Sequence, residues 1–98
     1  MARMRISALD QSPIPSGATP AQALQNTIAL AKLTDRLGFE RYWIAEHHGR
    51  NLASPAPEIL LARVGAETTA MRIGSGGVML PHYSPLKVVE NFRVLHAL

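Results

Sequence analysis

The sequence contains no cysteine, which excludes a disulfide framework, thiolate metal ligation and a cysteine nucleophile, and is compatible with a reducing compartment. It also has no run of basic residues. Ten Lys and Arg against seven Asp and Glu leave a formal charge of +3, and the cations are scattered singly between Arg3 and Arg93. Cations spread in this way solvate a surface and do not build the stripe that a nucleic acid needs. No apolar stretch approaches the ~20 residues of a membrane span, and Met1 to Ile6 carries charge without a signal-peptide core. The expectation is a cytoplasmic protein with no nucleic-acid or membrane partner. Charged residues make up only 17% of the chain against 47% hydrophobic, the balance of a chain that folds. Its 98 residues allow one unit, residues 1–98, that buries roughly 60 to 70% of its unfolded surface.

Proline and glycine divide the sequence into three similar passages, each a short β-type run, a loop and a longer segment of helical spacing. The strands begin near Arg5, Arg41 and Arg72, about 30 to 36 residues apart. Alternating β and α segments at this spacing predict a parallel sheet with helices packed outside it. The first strand is read as Arg5 to Leu9, and Pro13, Pro15 and Gly17 forbid regular structure in the loop from Asp10 to Gly17. Thr19, Pro20 and Gln22 form a capping box that starts a helix. Its apolar arc is Ala23, Leu24, Ile28, Leu30, Ala31, Leu33 and Leu37, and Gly38 ends it with the left-handed conformation that helix ends favour.

The second strand, Arg41 to Ala45, runs into Glu46, His47 and His48. A loop from Gly49 to Ser54 then reaches a helix beginning at Ser54-Pro55-Ala56-Pro57, with both prolines in its first turn. Ile59, Leu60, Leu61 and Val64 form its buried side. The third strand starts at Arg72 and ends in Gly74-Ser75-Gly76-Gly77. Ser84 caps a last helix whose Pro85, Val88, Val89, Phe92 and Leu95 repeat at helical spacing, with Lys87, Glu90 and Arg93 set to pair on the outer side.

In parallel α/β architectures catalytic groups collect beyond the carboxyl ends of the strands. Three segments fall there: Asp10-Gln11-Ser12, Glu46-His47-His48 and Gly76-Gly77-Val78. The adjacent histidines do not favour a metal, because on an extended segment their side chains point to opposite sides. One functional reading makes one imidazole a proton donor or acceptor while the other, with Glu46, holds the loop. The alternative is that all three are simply polar residues at a strand end. Gly74 to Gly77 has neither G-x-G-x-x-G spacing nor a Walker lysine, and its glycines permit a bulge or the close approach of a flat ligand. Tyr42 and Trp43 are assigned to packing. His82 either lines a pocket or caps a turn, and His96 is expected to be exposed without a role.

Taken together, Leu9-Asp10-Gln11-Ser12-Pro13, Ala45-Glu46-His47-His48, Leu52-Ala53-Ser54-Pro55-Ala56-Pro57-Glu58 and Gly74-Ser75-Gly76-Gly77-Val78-Met79-Leu80-Pro81-His82-Tyr83-Ser84-Pro85 resemble the amino-terminal part of a bacterial luciferase-like, flavin-dependent monooxygenase. The similarity runs in order from Met4 to Leu98 and is greatest to the FMN-using alkanal or alkane monooxygenase-like group. It implies a (β/α)8 TIM barrel, of which the three units are the first three strands and helices. It further implies that His47 is the catalytic histidine, managing protons around the reacting flavin, with Glu46 and His48 supporting it. Gly76, Gly77 and Val78 would face the flavin, where the family often has a non-proline cis peptide bond.

The implied chemistry joins reduced FMN and O2 to a small organic substrate, with a flavin reductase supplying the reduced cofactor. The second and third helices resemble those that the family uses for dimer packing. A complete barrel of this kind needs ~250 residues, and its phosphate site usually comes from loops after the seventh and eighth strands. The chain is therefore read as an amino-terminal portion that does not hold FMN tightly by itself. The alternative is a non-catalytic half-barrel that pairs with itself or with a separate remainder of the barrel. A flavodoxin-like sheet is disfavoured because no phosphate loop follows the first strand.

Overall fold

A computed structural model describes residues 3–98. Strands β1 (Ser7–Asp10), β2 (Arg41–Ile44) and β3 (Arg72–Ser75) alternate with helices α1 (Pro20–Arg36), α2 (Pro57–Glu67) and α3 (Pro85–Ala97), and a single 3₁₀ turn at Leu80–His82 precedes α3. The strands form one parallel sheet in the order β1-β2-β3. The first strand thus lies two residues later than Arg5 at its start and includes Asp10, which pairs with Ile44.

Side chains alternate across the sheet. Ala8, Tyr42 and Ile73 share one row of the register, and Tyr42 and Ile44 are buried against Ile28, Ala31, Leu61, Val64 and Met71. Phe92 and Leu95 of α3 pack on this same cluster. All three helices therefore cover one face, as the outer helices of a barrel do. A doubly wound flavodoxin-like sheet would carry them on both faces. These are three consecutive βα units of (β/α)8 architecture. The opposite face carries Leu9, Trp43 and Gly74 in one row.

The start of α1 follows the local code. The Thr19 side chain accepts from the Gln22 amide at 3.2 Å and the Gln22 side chain accepts from the Thr19 amide at 2.8 Å. Gly38 adopts φ +83°, and the bonds Phe39 N to Thr34 O and Gly38 N to Asp35 O complete a Schellman motif. The buried stripe differs from the expected arc. It consists of Ala23, Thr27, Ile28, Ala31 and Thr34, whereas Leu30, Leu33 and Leu37 are exposed. The small residues and threonines form the buried side of α1, and the hydroxyls find partners within the fold. Thr34 donates to the Leu30 and Ala31 carbonyls and Thr27 bonds Ser12.

Four further expectations are corrected. Pro57 opens α2 behind Ala56, so Pro55 lies outside the helix, and Ile59 is 72% exposed because the buried side consists of Pro57, Leu61 and Val64. The Ser84 hydroxyl makes no capping bond to α3, and no residue of α3 is buried. The Lys87, Glu90 and Arg93 side chains form no ion pair, since exposed pairs of this kind gain little in water. Among the described residues the Lys or Arg ion pairs are Lys32–Glu67 and Arg63–Glu67.

Candidate active site

The three rim segments converge at one end of the sheet. Hydrogen bonding continues past the strands, from Ala45 N to Asp10 O at 3.0 Å and from Gly76 N to Ile44 O at 2.8 Å. The segments that follow β1 and β2 also bind each other, through Ile14 N to Asn51 O and Ala53 N to Ser12 O, both 2.8 Å. His47 is pinned within this frame by its amide, which donates to Ser54 O at 3.2 Å. The tip of β2, which carries His47 and His48, therefore neighbours the tip of β3, which carries Gly76 and Gly77.

Beneath the rim, the buried Asp10 carboxylate ties β1 to β2 and to its own loop. It accepts from the Tyr42 hydroxyl and, at 2.7 Å, from the Ser12 amide. That second bond accompanies a left-handed backbone at Ser12, φ 50°. Burial, followed by the contact with Asp10, raises the Tyr42 phenol far above its ordinary range. Tyr42 is a fixed neutral donor.

His47 and His48 diverge. The His47 Nε2 lies 3.4 Å from the amide nitrogen of Gln11. The contact joins the loop after β1 to the tip of β2 through two side chains. His48 turns back to Glu46, with Nε2 2.5 Å from Oε2, and its ring stands edge-on to His82 with centroids 5.1 Å apart. No group of three His, Asp or Glu side chains that could hold a metal occurs among the described residues.

Glu46 is the most connected group of the rim. Its side chain is 1% exposed and accepts from His48, from the Met79 amide at 3.1 Å and from the Tyr83 hydroxyl at 2.7 Å. Burial pushes its carboxyl up, but the bonds from His48, Tyr83 and the Met79 amide outweigh it and hold it below the usual glutamate range. The carboxylate is thus a fixed anion linking the tip of β2 to the loop after β3.

That loop begins at a cis Gly76–Gly77 peptide bond, and the Ser75 hydroxyl donates to the Gly77 carbonyl. Both glycines are exposed. A Cβ at Gly76 would fall 3.1 Å from the Trp43 Cβ and 3.4 Å from Leu9 Cδ1, whereas one at Gly77 would meet nothing within 4 Å. The corner therefore rests on an apolar floor and leaves open space above its second glycine. A planar ring could approach that backbone with His47 at its side.

A separate concavity of about 460 Å³ lies between Leu61, Met71, Ile73, Phe92 and Leu95, where β3 has no neighbouring strand. It is lined by none of the rim residues, and only Arg72 and His96 bring ionisable groups to it. Its position marks an uncovered flank of the core, not a converging set of reactive groups.

Gln11, Met79 and Tyr83 have no site role in the sequence reading. Gln11 lies in a segment placed at the rim, but its contact with His47 spans 36 positions. Tyr83 meets Glu46 across 37 positions. No local spacing encodes either contact.

The profile of the luciferase-like monooxygenases matches residues 4–98. The chain is 49% identical over 96 residues to the N-acetyl-S-alkylcysteine monooxygenase of Bacillus subtilis, covering 97% of this chain and 29% of that protein. It is 44% identical over 93 residues to a luciferase-like monooxygenase of Escherichia coli K12, covering 94% of this chain and 28% of the relative. Among solved structures, that of apo-MsnO8 superposes with a TM-score of 0.94 at 57% identity, over 97% of this chain and 29% of that one. A 3,6-diketocamphane monooxygenase of Pseudomonas putida, solved in complex with FMN, shares the fold with a TM-score of 0.87 at 23% identity, over 95% of this chain and 26% of its own. The chain spans less than a third of the length of these relatives.

Proposed function

This chain belongs to the luciferase-like monooxygenase family, and on that premise we propose that it forms the histidine and glycine wall of a flavin site. The whole protein is read as using reduced FMN and O2 to oxidise a small organic substrate. A flavin reductase would supply the reduced cofactor in the cytoplasm. One observation carries the reading: His47, held by Gln11, stands on the same rim as the open Gly76–Gly77 corner.

The residues present fit the ring end of a flavin. Gly77 leaves room for a flat face and the Gly76 backbone rests on Leu9 and Trp43. Bound FMN would supply the activation of O2 and the transfer of an oxygen atom. The chain's own part is positional and protic. The Gly76, Gly77 and Val78 backbone sets the approach of the ring. His47 is the group that exchanges a proton, with the Gln11 side chain beside its ring. Glu46 and His48 support that frame. The rim segments Asp10–Ser12, Glu46–His48 and Gly76–Val78 contain no Lys or Arg, so the FMN phosphate is assigned to chain segments outside this unit. Residues 1–98 are accordingly proposed to be the first three units of a longer barrel domain, with weak affinity for FMN in isolation.

A hybrid enzyme tests this assignment. The 98-residue chain replaces the matching segment of the Bacillus N-acetyl-S-alkylcysteine monooxygenase, and turnover is followed with reduced FMN. The hybrid is expected to turn over, and His47→Ala within it to lose about 10²- to 10⁴-fold in kcat while retaining flavin. Undiminished turnover in the variant would remove His47 from the chemistry.

A second reading, a non-catalytic half-barrel that associates with itself or with a separate remainder, is supported by exposed Ile59, Val94 and Leu98. Light scattering separates the two. A stable symmetric dimer that neither binds flavin nor completes the hybrid favours the module.

A further inference from the structure

We propose that Tyr83 is a positioning residue of this site. Through the buried Glu46 carboxylate, its hydroxyl fastens the loop after β3 to the tip of β2 and so sets where the Gly76–Gly77 corner stands. The inference takes from the flavin reading only what the corner faces. The fastening itself rests on hydrogen bonds within the chain.

Beyond Gly76, the loop's backbone bonds are internal, from Leu80 N to Val78 O, His82 N to Met79 O and Tyr83 N to Leu80 O. They fold the loop on itself without attaching it to the sheet. Its hydrogen bonds to the segment at the tip of β2 both end on Glu46, one from the Met79 amide to Oε1 and the other from the Tyr83 hydroxyl to Oε2. Met79, Leu80, Pro81 and His82 are exposed, so little burial holds the loop in place. A bond to an ionised acceptor is about twice as strong as a neutral one, and here the anion has almost no access to water that could replace its donors. His48 bonds the same Oε2 and packs against His82, which closes the clamp on its outer side.

If Tyr83 served only as packing, phenylalanine would replace it without consequence. Tyr83→Phe keeps the ring and removes only the hydroxyl. In the full 98-residue chain, amide hydrogen exchange at Met79, Leu80 and His82, whose amides are hydrogen-bonded, is expected to rise about tenfold, with α1 and β2 within twofold. Unchanged loop exchange, or an equal rise in α1 and β2, would overturn the clamp. Glu46→Gln gives an independent measurement. The bond to Glu46 lifts the Tyr83 phenol to about 12, and in this variant its ultraviolet titration should move toward 10; a titration unchanged from the parent would count equally against the proposal.

In the hybrid, Tyr83→Phe should raise KM for reduced FMN by more than it lowers kcat. A KM equal to that of the parent hybrid would overturn the positioning role. Exchange in the isolated chain does not depend on flavin, so failure of the clamp and failure of the flavin reading are seen separately.

Discussion

The indole of Trp43 lies across Gly74, so close that a Cβ there would fall 2.7 Å from its Cζ3. The two residues are paired in register on neighbouring strands, on the face that carries no helices. Glycine is required at this point for space, not for its backbone freedom. Because Gly76 also rests on the Trp43 Cβ, the position of the indole bears on the corner above it. Gly74→Ala should displace the ring and destabilise the chain by about 1–3 kcal/mol. Urea midpoints measure the loss. Trp43 is the one tryptophan in the sequence, so a shift in its emission reports the displacement directly. Unaltered stability and emission would show that the ring does not occupy this place.

Tyr42→Phe should cost about 1.5–3 kcal/mol, the range for a bond to a charged group whose loss leaves a buried oxygen without its donor. The pH dependence has a definite sign. Tyr42 and Tyr83 both have raised phenol pKa values, Tyr83 to about 12, so the fold favours their protonated forms. Their contribution is complete below the unfolded value near 10 and fades as pH rises above it. Urea midpoints measured from pH 8 to 11 should therefore fall at the alkaline end, and less steeply in Tyr83→Phe.

The acid limb has the opposite sign. Glu46 is held below its ordinary value by the bonds that outweigh its burial, and Asp35 is lowered by the amides of Thr69 and Met71. Stability from these groups is present above about pH 4.5 and is lost as pH falls through their folded values. Glu46→Gln should flatten the decline in urea midpoint between pH 5 and 3. A decline as steep as that of the parent would assign the acid lability elsewhere.

Asp35, near the end of α1, organises the turn into β3. Its carboxylate accepts from the amides of Thr69 at 2.8 Å, Ala70 at 3.1 Å and Met71 at 2.9 Å. Asp35→Ala should destabilise the chain by about 1–3 kcal/mol and raise amide exchange at those three positions first. A loss confined to α1 would contradict this assignment.

Sequence reasoning reaches as far as local codes do. The Thr19 capping box and the Gly38 terminus are written in residues three or four positions apart, and both are found. Strand placement holds within two residues because loop prolines and glycines bound each strand. The three rim segments follow from strand order alone. The buried side of α1 was hidden because Thr27 and Thr34 count as polar in a pattern but satisfy their hydroxyls within the fold. Ile59 fitted the apolar pattern of α2 yet faces outward, since helical spacing does not tell which flank meets the sheet. The Tyr83–Glu46 and Asp35–Thr69 contacts span 37 and 34 positions, so they arise only once the parallel sheet brings distant loops together.

The most direct test is a crystal structure of the hybrid enzyme with FMN. The expected result is the isoalloxazine ring against the Gly76–Gly77 backbone, with the His47 ring within hydrogen-bonding reach of the ring or of the substrate space beside it. A flavin seated away from that corner, with His47 facing bulk solvent, would contradict the account.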